Sequence, residues 1–457
     1  MATQRIDARV LINNSAFGGY QIGVFVLCFV AMIIDGYDVQ VIGVAAAGIR
    51  ETLKLEPATL GIVITAGQVG VILGAVFLAP LADRMGRKRL MIASLLLFGV
   101  FSFLTAFATN VPWLIALRVL AGIGLGSIGP AALALGAEYA PKKLKASIPS
   151  WIWAAVPTGG FIAGLSAVWL LPIWNWPSLF VVSGVLPILI AIPVGLFMPE
   201  SLAFIGTQRG DQAAMRRIAT KIAPSLPADA ELYCSEEKLP GVPLKHLFRE
   251  GRALGTVLLW ILFFLDYGIL IFFLSWVPTL IKMATGSTTA LGTSLALWNV
   301  GSIFCSFCIG WLVDRFGYYR VLIPNFAIIA LSMWAIGATL GAPLWILLIA
   351  ITVNGAIAGS SGAALMALAA NSYPLAARST GVGAAYAFGG RFGAFVAPLF
   401  GGYMLQMHYA PATMCYIAGA PLLLGSVILM WLRSQASFRH GPEAAIAVPP
   451  VAAQPSA

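Results

Sequence analysis

The sequence predicts an all-α integral membrane protein whose twelve transmembrane helices form two pseudo-symmetric six-helix halves. Two observations carry this prediction. The chain of 457 residues is 60% hydrophobic and only 10% charged, with a mean hydropathy of +0.92. A soluble chain of this length could not bury so much apolar surface. The second observation is an internal repeat, in which motifs of the first half of the chain recur in the second half.

Membrane-spanning helices are recognised as windows of about 20 apolar residues, since that length of α-helix crosses the hydrocarbon core of a bilayer. The alternating polarity of a membrane β-barrel is absent from the sequence. Twelve apolar windows follow one another along the chain, at 20–42, 57–81, 89–108, 112–137, 148–171, 178–198, 253–276, 289–313, 320–340, 343–366, 380–405 and 411–432.

A polar stretch that holds many of the chain's charges separates the sixth window from the seventh. The last residues are rich in Ala and Pro, a composition typical of disorder. We therefore expect four parts: an N-terminal six-helix half at 1–198, a cytoplasmic linker at 199–252, a C-terminal six-helix half at 253–433, and a disordered cytoplasmic tail at 434–457.

The net charge of +10 follows the membrane topology and does not indicate nucleic-acid binding. Lys and Arg are concentrated in the loops after even-numbered windows, and the positive-inside rule places such loops, with both termini, in the cytoplasm. The main exceptions are Arg50, Lys54 and Lys282, which lie in loops of the opposite side. The basic loop residues are Arg84, Arg87, Lys88, Arg89, Lys142, Lys143, Lys145, Arg315, Arg320 and Arg378.

The internal repeat is visible in two pairs of segments. The segment "LADRMGRKR" at 81–89 recurs 231 residues later as "LVDRFGYYR", and "GIGLGSIGPAALAL" at 122–135 recurs 233 residues later as "GAIAGSSGAALMAL". Two parallel six-helix repeats, with a binding site near the midplane between them, are a common transporter design. The repeat therefore indicates transport as the class of function.

These motifs resemble those of the major facilitator superfamily along nearly the whole chain. The loop signature of that superfamily is Gly-x-x-x-Asp-Arg-x-Gly-Arg-Arg, and here Ala79 replaces its first glycine. The segments "DGYDVQ", "SWVPT" at 275–279 and "YPLAARSTGVG" with "GGRFG" at 373–393 are similar to the aromatic acid:proton symporter family. The loop signature is matched by Asp83, Arg84, Gly86, Arg87 and Lys88, and its second copy by Gly310, Asp314, Arg315 and Gly317.

The resemblance implies a monomeric, multi-pass transporter of the bacterial inner membrane that takes up a small aromatic carboxylate with protons by alternating access. It also implies that the two signature loops brace the cytoplasmic side and control its opening. The residues with this gating role would be Asp83, Arg84, Gly86, Arg87, Asp314, Arg315 and Gly317.

Two carboxylates interrupt the first apolar window. Asp35 and Asp38 lie three residues apart, and a carboxylate at the centre of a bilayer costs about 2.5–3.5 kcal/mol. Arg118 of the fourth window is expected at a similar depth, where it neutralises one aspartate or exchanges that partner for an anionic substrate. The alternatives are a permanent ion pair and, for Asp38, a helix-kink or capping role beside Gly36. We expect both aspartates to take part in proton coupling, without assigning the proton to one of them.

The repeat separates shared charges from specialised ones. Asp35 corresponds to Asp266 of the seventh window, whereas Asp38 and Arg118 correspond to Ile269 and Ile351. Asp266 is expected to be a second proton site, a selectivity residue or a partner of Arg391, with a structural role as the alternative.

Arg391 is the expected ligand of the substrate carboxylate. It lies halfway along the eleventh window between Gly390 and Gly393, and its planar guanidinium can hold a carboxylate through two hydrogen bonds. The rival interpretation is a structural pair with an intramembrane acid.

An aromatic ring requires apolar, stackable surroundings with a few polar groups that select its substituents. Aromatic residues in spans also serve in packing, so each is a hypothesis. The expected contacts are Tyr37, Tyr267, Trp298 and Tyr386 for the ring, and Gln40, Gln68, Asn299 and Asn354 as polar selectors, with Arg118 and Arg391 for the carboxylate.

Other functions are less well supported by the sequence. Exporters of the same fold typically carry Gly-Pro-x-x-Gly-Gly in the fifth helix, and "VPTGG" here lacks the first glycine. Transport of a non-aromatic acid, such as a muconate-like diacid, stays an alternative. An enzyme is not expected, because the chain has three histidines and no HExxH, GxSxG or GxxxxGK[ST] motif. We expect no cofactor and no metal site.

Overall fold

Twelve long helices run through the part of the chain that the structure describes, and they are labelled α1 to α12 in chain order. In this computed structural model the described residues are 5–145, 147–206, 211–224, 226–227, 230–234, 247–248, 252–373 and 378–434. Eleven of the helices are long and apolar enough to cross a bilayer: α1 (Gly19–Leu53), α2 (Pro57–Leu78), α3 (Arg87–Thr105), α4 (Val111–Glu138), α5 (Ser147–Trp174), α6 (Pro177–Phe197), α7 (Ala253–Thr285), α8 (Thr288–Phe316), α9 (Tyr318–Thr339), α10 (Leu344–Ser372) and α12 (Pro411–Ser434).

The remaining long helix, α11, covers 378–406 in three consecutive helical segments. A π-helical segment, Ala385–Gly390, separates Arg378–Ala384 from Arg391–Gln406. π-Helical turns are frequent at functional sites, and this one ends immediately before Arg391. The prediction of an all-α membrane protein is confirmed, and eleven of its twelve long helices are long and apolar enough to cross a bilayer.

The first helix is longer than the sequence predicts. α1 continues to Leu53, beyond the expected end at 42, because an apolar window marks only the lipid-compatible part of a helix. The additional turns contain the Ala-rich segment 43–53, whose residues favour helix. Lys54, with a φ angle of 51°, ends the helix in the left-handed conformation.

Each half packs its six helices in the same pattern. In the N-terminal half α1 packs on α5, α4 packs on both α2 and α3, and α3 packs on α6. In the C-terminal half the equivalent pairs are α7 with α11, α10 with both α8 and α9, and α9 with α12. The halves meet through α1 with α7, α2 with α11, and α5 with α8. The repeat makes α2 equivalent to α8 and α5 equivalent to α11, so the contact of α2 with α11 is equivalent to that of α8 with α5. The fold therefore has the pseudo-two-fold symmetry that the sequence predicts.

The contacts between the halves are concentrated at one end of the bundle. We define the basic end as the end that carries the loops containing Arg84, Lys143 and Arg320. The closest approaches between the halves lie toward the other end, where glycines remove the side chain that would keep two helices apart. A Cβ atom at Gly43 of α1 would overlap the backbone of Leu274 in α7. A Cβ atom at Gly61 would likewise overlap the backbone of Pro398, and a Cβ atom at Gly164 would overlap the backbone of Ala296. The bundle is therefore sealed at the end opposite the basic end.

Part of the predicted linker folds against the N-terminal half. A short strand near the start of the chain, β1 (Arg5–Asp7), pairs in parallel with β2 (Glu231–Tyr233). Arg5 donates to Glu231 over 2.9 Å, and this hydrogen bond and charge hold the pKa of the Glu231 carboxyl below its ordinary value. The helix Gln212–Ile222 buries Met215 and Ile218 in the core of the N-terminal half. Much of the linker and nearly all of the predicted disordered tail lie outside the described residues.

Candidate substrate and proton site

A buried ion pair lies inside the N-terminal half. The Ser183 Oγ donates to Asp38 Oδ1 over 2.7 Å, and the Ser102 Oγ lies 3.2 Å from the same oxygen. The Arg118 Nη1 lies 3.4 Å from Asp38, with the two side chains 4% and 8% exposed. Asp38 of α1 and Arg118 of α4 therefore neutralise each other away from water, with two hydroxyl groups beside the carboxylate.

Arg118 keeps unused hydrogen-bonding capacity in this arrangement. Its Nη2 donates to the Ser102 Oγ over 3.2 Å, and its guanidinium lies 4.7 Å from the centre of the Phe180 ring. The buried Nε has no acceptor among the described residues. A buried donor without an acceptor costs about 1–3 kcal/mol, so a second acceptor near Arg118 would be stabilised.

Asp35 differs from Asp38 in its surroundings, although it lies only three residues earlier. It is partly buried and forms no hydrogen bond or ion pair with a described residue. The charges of Arg391 and Asp38 are nevertheless close enough to act on it. Asp38 is thus satisfied within its own half, whereas Asp35 interacts electrostatically with a cation of the other half.

Arg391 begins the last segment of α11 and is partly buried. Its guanidinium lies 5.0 Å from the centre of the Tyr386 ring, and no described residue accepts a hydrogen bond from it. The neighbouring glycine Gly393 allows α11 to approach α7 closely. A Cβ atom at Gly393 would overlap the backbone of Phe264.

A cluster of aromatic residues from α7 and α11 lies on one side of the Arg391 guanidinium, with the Tyr386 ring in contact with it. Tyr386 packs edge-on against Tyr267, with ring centres 5.2 Å apart, and Tyr267 stacks on Phe263. A cation beside aromatic faces is attracted by their quadrupoles, so the same group offers ring contacts and a positive charge. The structure places Tyr386 beside Arg391 and Tyr267 against Tyr386, and their contact with a substrate ring stays a prediction.

The other two predicted ring contacts are packed inside the protein. Tyr37 is 1% exposed and belongs to the core. Trp298 stacks on Phe273, with ring centres 5.1 Å apart, and its indole N–H donates to Asn354 over 3.0 Å. In this conformation both side chains support the walls of the bundle, and a ligand would reach them only after a rearrangement.

The predicted polar selectors Gln40 and Asn299 bind each other across the two halves. The Asn299 Nδ2 donates to the Gln40 Oε1 over 2.8 Å, and the Gln40 Nε2 donates to the Asn299 Oδ1 over 3.2 Å. Both residues are almost fully buried. This amide pair joins α1 to α8 and contributes to the closed arrangement of the halves.

Replacing Gln40 with leucine is expected to lower the stability of this arrangement by about 1–3 kcal/mol, because the buried Asn299 Oδ1 would lose its donor, while its Nδ2 keeps the Leu295 carbonyl as acceptor. The double change Gln40→Leu with Asn299→Leu is expected to be milder than either single change, since both polar partners are then removed. Thermal unfolding of the four proteins of this double-mutant cycle measures the coupling. Additive losses would show that the two amides do not depend on each other.

Asp266 lies inside the C-terminal half at the position that corresponds to Asp35. It is 3% exposed and accepts a hydrogen bond from the Ser361 Oγ of α10. It forms no ion pair with Arg391 or with another described cation. Of the expected roles for Asp266, a direct pair with Arg391 is therefore absent from this conformation.

The first signature loop forms a charged network at the basic end of the N-terminal half. The Arg87 Nη1 lies 2.5 Å from Glu138, the Ser201 Oγ donates to Glu138 over 2.9 Å, and the Lys88 backbone N–H donates to Glu200 over 3.1 Å. Gly86 has a φ of 95°, which a side chain would strain. The network connects the start of α3 with the ends of α4 and α6. Arg84 is exposed, and the side chain of Asp83 lies outside the described part of the chain.

The second signature loop replaces that ion pair with a neutral hydrogen bond. Tyr318 lies 231 residues after Arg87, Asn371 lies 233 residues after Glu138, and the Asn371 Nδ2 donates to the Tyr318 hydroxyl. Asp314 and Arg315 are exposed, and the Arg315 guanidinium lies 5.2 Å from the centre of the Trp311 ring. Gly317 has a φ of 83°. The equivalent residue pairs are thus in contact in both halves, but only the pair of the N-terminal half is charged.

Sequence reasoning did not single out several residues of these networks. Serine is common in membrane spans, so only its contact with a charged group identifies it as part of a site. The unpredicted members are Ser102, Ser183 and Phe180 around Asp38 and Arg118, Ser361 beside Asp266, and Asn371 at the basic end.

Comparison with known proteins identifies relatives of this fold. A family model described as Major Facilitator Superfamily matches residues 28–323 and 259–454. The 4-hydroxybenzoate transporter PcaK of Pseudomonas aeruginosa is 30% identical over 442 residues, which are 95% of this chain and 98% of that protein. The benzoate transport protein of Acinetobacter baylyi is 27% identical over 97% of this chain and 96% of its own length.

A solved structure shares the fold at lower identity. The xylose transporter XylE from E. coli, in a partially occluded inward-open conformation, matches 91% of this chain and 100% of its own, with a TM-score of 0.69 and 17% identity. At that identity the likeness shows the fold alone.

Proposed function

Because the chain belongs to the major facilitator superfamily, within its family of aromatic acid transporters, we propose that it imports a small aromatic carboxylate together with at least one proton. The chain is a multi-pass membrane transporter and not an enzyme. We place it in a bacterial inner membrane as a monomer, with the basic end and both termini in the cytoplasm, as the positive-inside rule requires.

The observation that carries this proposal is the free guanidinium of Arg391. A cation inside a membrane protein is costly unless it has a partner, and Arg391 has an aromatic neighbour but no hydrogen-bond acceptor among the described residues. A substrate carboxylate supplies that acceptor through two parallel hydrogen bonds. Tyr386 and Tyr267 lie where they can contact the ring of the same substrate.

The position of Asp35 supports the proposed proton coupling. The charge of Arg391 acts on Asp35 in the absence of substrate, so the arrival of a substrate carboxylate would place two anions near one guanidinium. Protonation of Asp35 removes that repulsion, and a carboxyl group away from water accepts a proton more readily than one in water. Substrate and proton therefore favour each other's binding.

Asp38 and Arg118 form the second part of the proposed coupling site. Protonation of Asp38 would free Arg118, whose Nε already lacks an acceptor, and would change the forces that hold α1 on α4. Asp266 is a third acid that could bind a proton in the C-terminal half, where Ser361 is its partner. The two signature loops would then release and restore the basic end during alternating access.

The energetics favour symport. Import of a monoanion into a cell at about 100 mV, negative inside, costs roughly 2.3 kcal/mol. One accompanying proton cancels this electrical cost, and a pH gradient of one unit then supports about tenfold accumulation, since each factor of ten corresponds to 1.4 kcal/mol.

The test is uptake by purified protein in proteoliposomes with an imposed pH gradient, acid outside. Benzoate, hydroxybenzoates, phenylpropanoids and aliphatic diacids are compared as substrates. Accumulation of an aromatic acid that collapses when a protonophore is added supports the proposal. Accumulation of the diacids alone, or uptake that ignores the gradient, contradicts it.

A further inference from the structure

The sealed end of the bundle contains a charged cavity that the proposed transport site does not use. The cavity measures about 630 Å³ and lies between the last turns of α1 and α7. We call it the outer vestibule; it is lined by Ala47, Arg50, Glu51, Lys54, Leu55, Thr279, Lys282, Met283 and Gly286.

The outer vestibule collects the three basic residues that depart from the positive-inside rule. Arg50 and Lys54 of α1 and Lys282 of α7 all line it, against one carboxylate, Glu51. A topology signal alone gives no reason for three cations on this side of the membrane. Their convergence in one cavity from two helices of different halves indicates a site with a positive potential.

The charges of the vestibule are only partly compensated. The Lys282 Nζ lies 2.7 Å from Glu51, an ion pair that joins the two halves. The side chains of Arg50 and Lys54 form no hydrogen bond or ion pair with a described residue. The Thr279 hydroxyl, on a residue that is 1% exposed, has no hydrogen-bond partner among the described residues. Within the described part of the chain, the cavity thus offers two cations and one hydroxyl that have no hydrogen-bond partner.

We propose that the outer vestibule is an anion-capture site, which binds the carboxylate group of the substrate before the substrate reaches Arg391. This inference rests on the proposed import of an aromatic carboxylate. Arg50 and Lys54 attract the anion, since a cleft lined by charges of one sign raises the association rate of a ligand with the opposite charge.

In the closed state, the Glu51 carboxylate occupies the position beside Lys282 that the substrate carboxylate would take. When the substrate anion replaces Glu51 at Lys282, the ion pair between α1 and α7 is lost. Capture then weakens one of the contacts that seal this end of the bundle, and the captured substrate itself favours the opening through which it passes.

The experiment compares uptake in the two directions for the double variant Arg50→Gln with Lys54→Gln. In intact cells that express the protein, the KM for external benzoate is expected to rise about tenfold with little change in maximal rate, because the association rate falls. In inverted membrane vesicles, where the substrate enters from the basic end, the KM is expected to stay unchanged. The wild-type KM should also rise with added salt, and the double variant should lose most of this dependence.

The matched control is Lys143→Gln with Lys145→Gln, two exposed basic residues at the basic end, which should leave the external KM unchanged. The single variant Glu51→Gln removes the competing carboxylate and is expected to lower the external KM. Thermal unfolding shows that each variant is folded.

The results separate two failures. Wild-type protein that transports no aromatic acid overturns the proposed function. Wild-type protein that transports benzoate, with a double variant whose KM is unchanged or rises equally in both directions, overturns the anion-capture site while the proposed function stands.

Discussion

Replacing Arg391 with glutamine is expected to weaken binding of the aromatic carboxylate by between about 30-fold and about 4,000-fold, since removal of one partner of a buried charge pair costs about 2–5 kcal/mol. Replacement with lysine keeps the charge but loses the planar fork, so an intermediate loss of about tenfold is expected. Isothermal titration of purified protein with benzoate or 4-hydroxybenzoate measures both effects. Arg320→Gln, which removes an exposed cation at the basic end, serves as the control.

Thermal stability separates this interpretation from a structural role of Arg391. No described residue accepts a hydrogen bond from the guanidinium of Arg391, so Arg391→Gln should leave the melting temperature of ligand-free protein unchanged or raise it. Removal of strain or unpaired charge at a functional site commonly has that effect. A structural ion pair behaves in the opposite way, with a loss of about 3–5 kcal/mol when one partner is removed. A glutamine variant with normal affinity would assign Arg391 to packing.

Arg118 supplies the contrasting case within the same protein. Its guanidinium is paired with Asp38 and surrounded by Ser102 and Phe180. Arg118→Gln leaves the Asp38 carboxylate buried without a counter-ion, and a loss of stability of about 3–5 kcal/mol is expected. The two arginines therefore differ in the property that their replacement changes. Replacement of Arg391 lowers the affinity for the ligand, whereas replacement of Arg118 first lowers the stability of the fold.

The sequence predicts the fold well, because its signals are long and repeated. Twelve apolar windows and two pairs of matching segments determine the number of helices and the symmetry of the halves. The exceptions are two π-helical segments, one at the end of α2 (Gly74–Leu78) and one in α11 that precedes Arg391. One inserted residue in a helical turn changes no hydropathy window, so the pattern contains no signal for it.

The partners of the charged residues are harder to predict. Asp35 and Asp38 are separated by about 60° around a helix of 3.6 residues per turn, and the sequence leaves open which of them meets Arg118. The rotation of α1 in the bundle decides this, and it depends on close packing of glycines. A Cβ atom at Gly36 would overlap the backbone of Val156 in α5, so α1 rests on α5 with Asp38 toward Arg118. The rotation of a helix about its own axis depends on many packing contacts at once, and these contacts lie between residues that are distant in the sequence.

The role of each aromatic residue is equally hard to predict from the sequence. Tyr37, Trp298 and Tyr386 are equally plausible ring contacts by type and position. In the structure Tyr386 lies beside a cation with unused donors, whereas Tyr37 and Trp298 fill the core. Burial depends on neighbours that are distant in the sequence, and therefore only the three-dimensional arrangement separates a binding aromatic residue from a packing one.

Replacing Asp35 with asparagine is expected to abolish proton-driven accumulation while substrate exchange continues. Asparagine resembles the protonated carboxyl group, so Arg391 can bind the substrate without a proton, and transport becomes movement of a bare anion. In proteoliposomes with a pH gradient of one unit, the accumulation ratio should fall from about tenfold to about one. Counterflow, the exchange of labelled for unlabelled substrate at equal pH, should keep most of its wild-type rate.

The dependence on pH has a defined sign. In wild-type protein, higher pH leaves Asp35 ionised beside the arriving substrate anion, so the KM for uptake should rise as the pH is raised. In the Asp35→Asn variant this repulsion is absent, and the KM should be independent of pH over the same range. Uptake by both proteins, measured at intervals between about pH 5 and pH 8, tests both statements.

Asp38→Asn is the matched comparison, because it removes an acid three residues away that has a different partner. It leaves Arg118 buried without a counter-ion, so a loss of stability should accompany any loss of coupling, and the second change Arg118→Leu should restore stability by removing the unpaired charge. If Asp35→Asn still accumulates substrate in response to the gradient, whereas the stable double variant at Asp38 and Arg118 does not, the proton that drives import binds Asp38. If both proteins accumulate substrate, Asp266 becomes the acid that couples transport to the gradient.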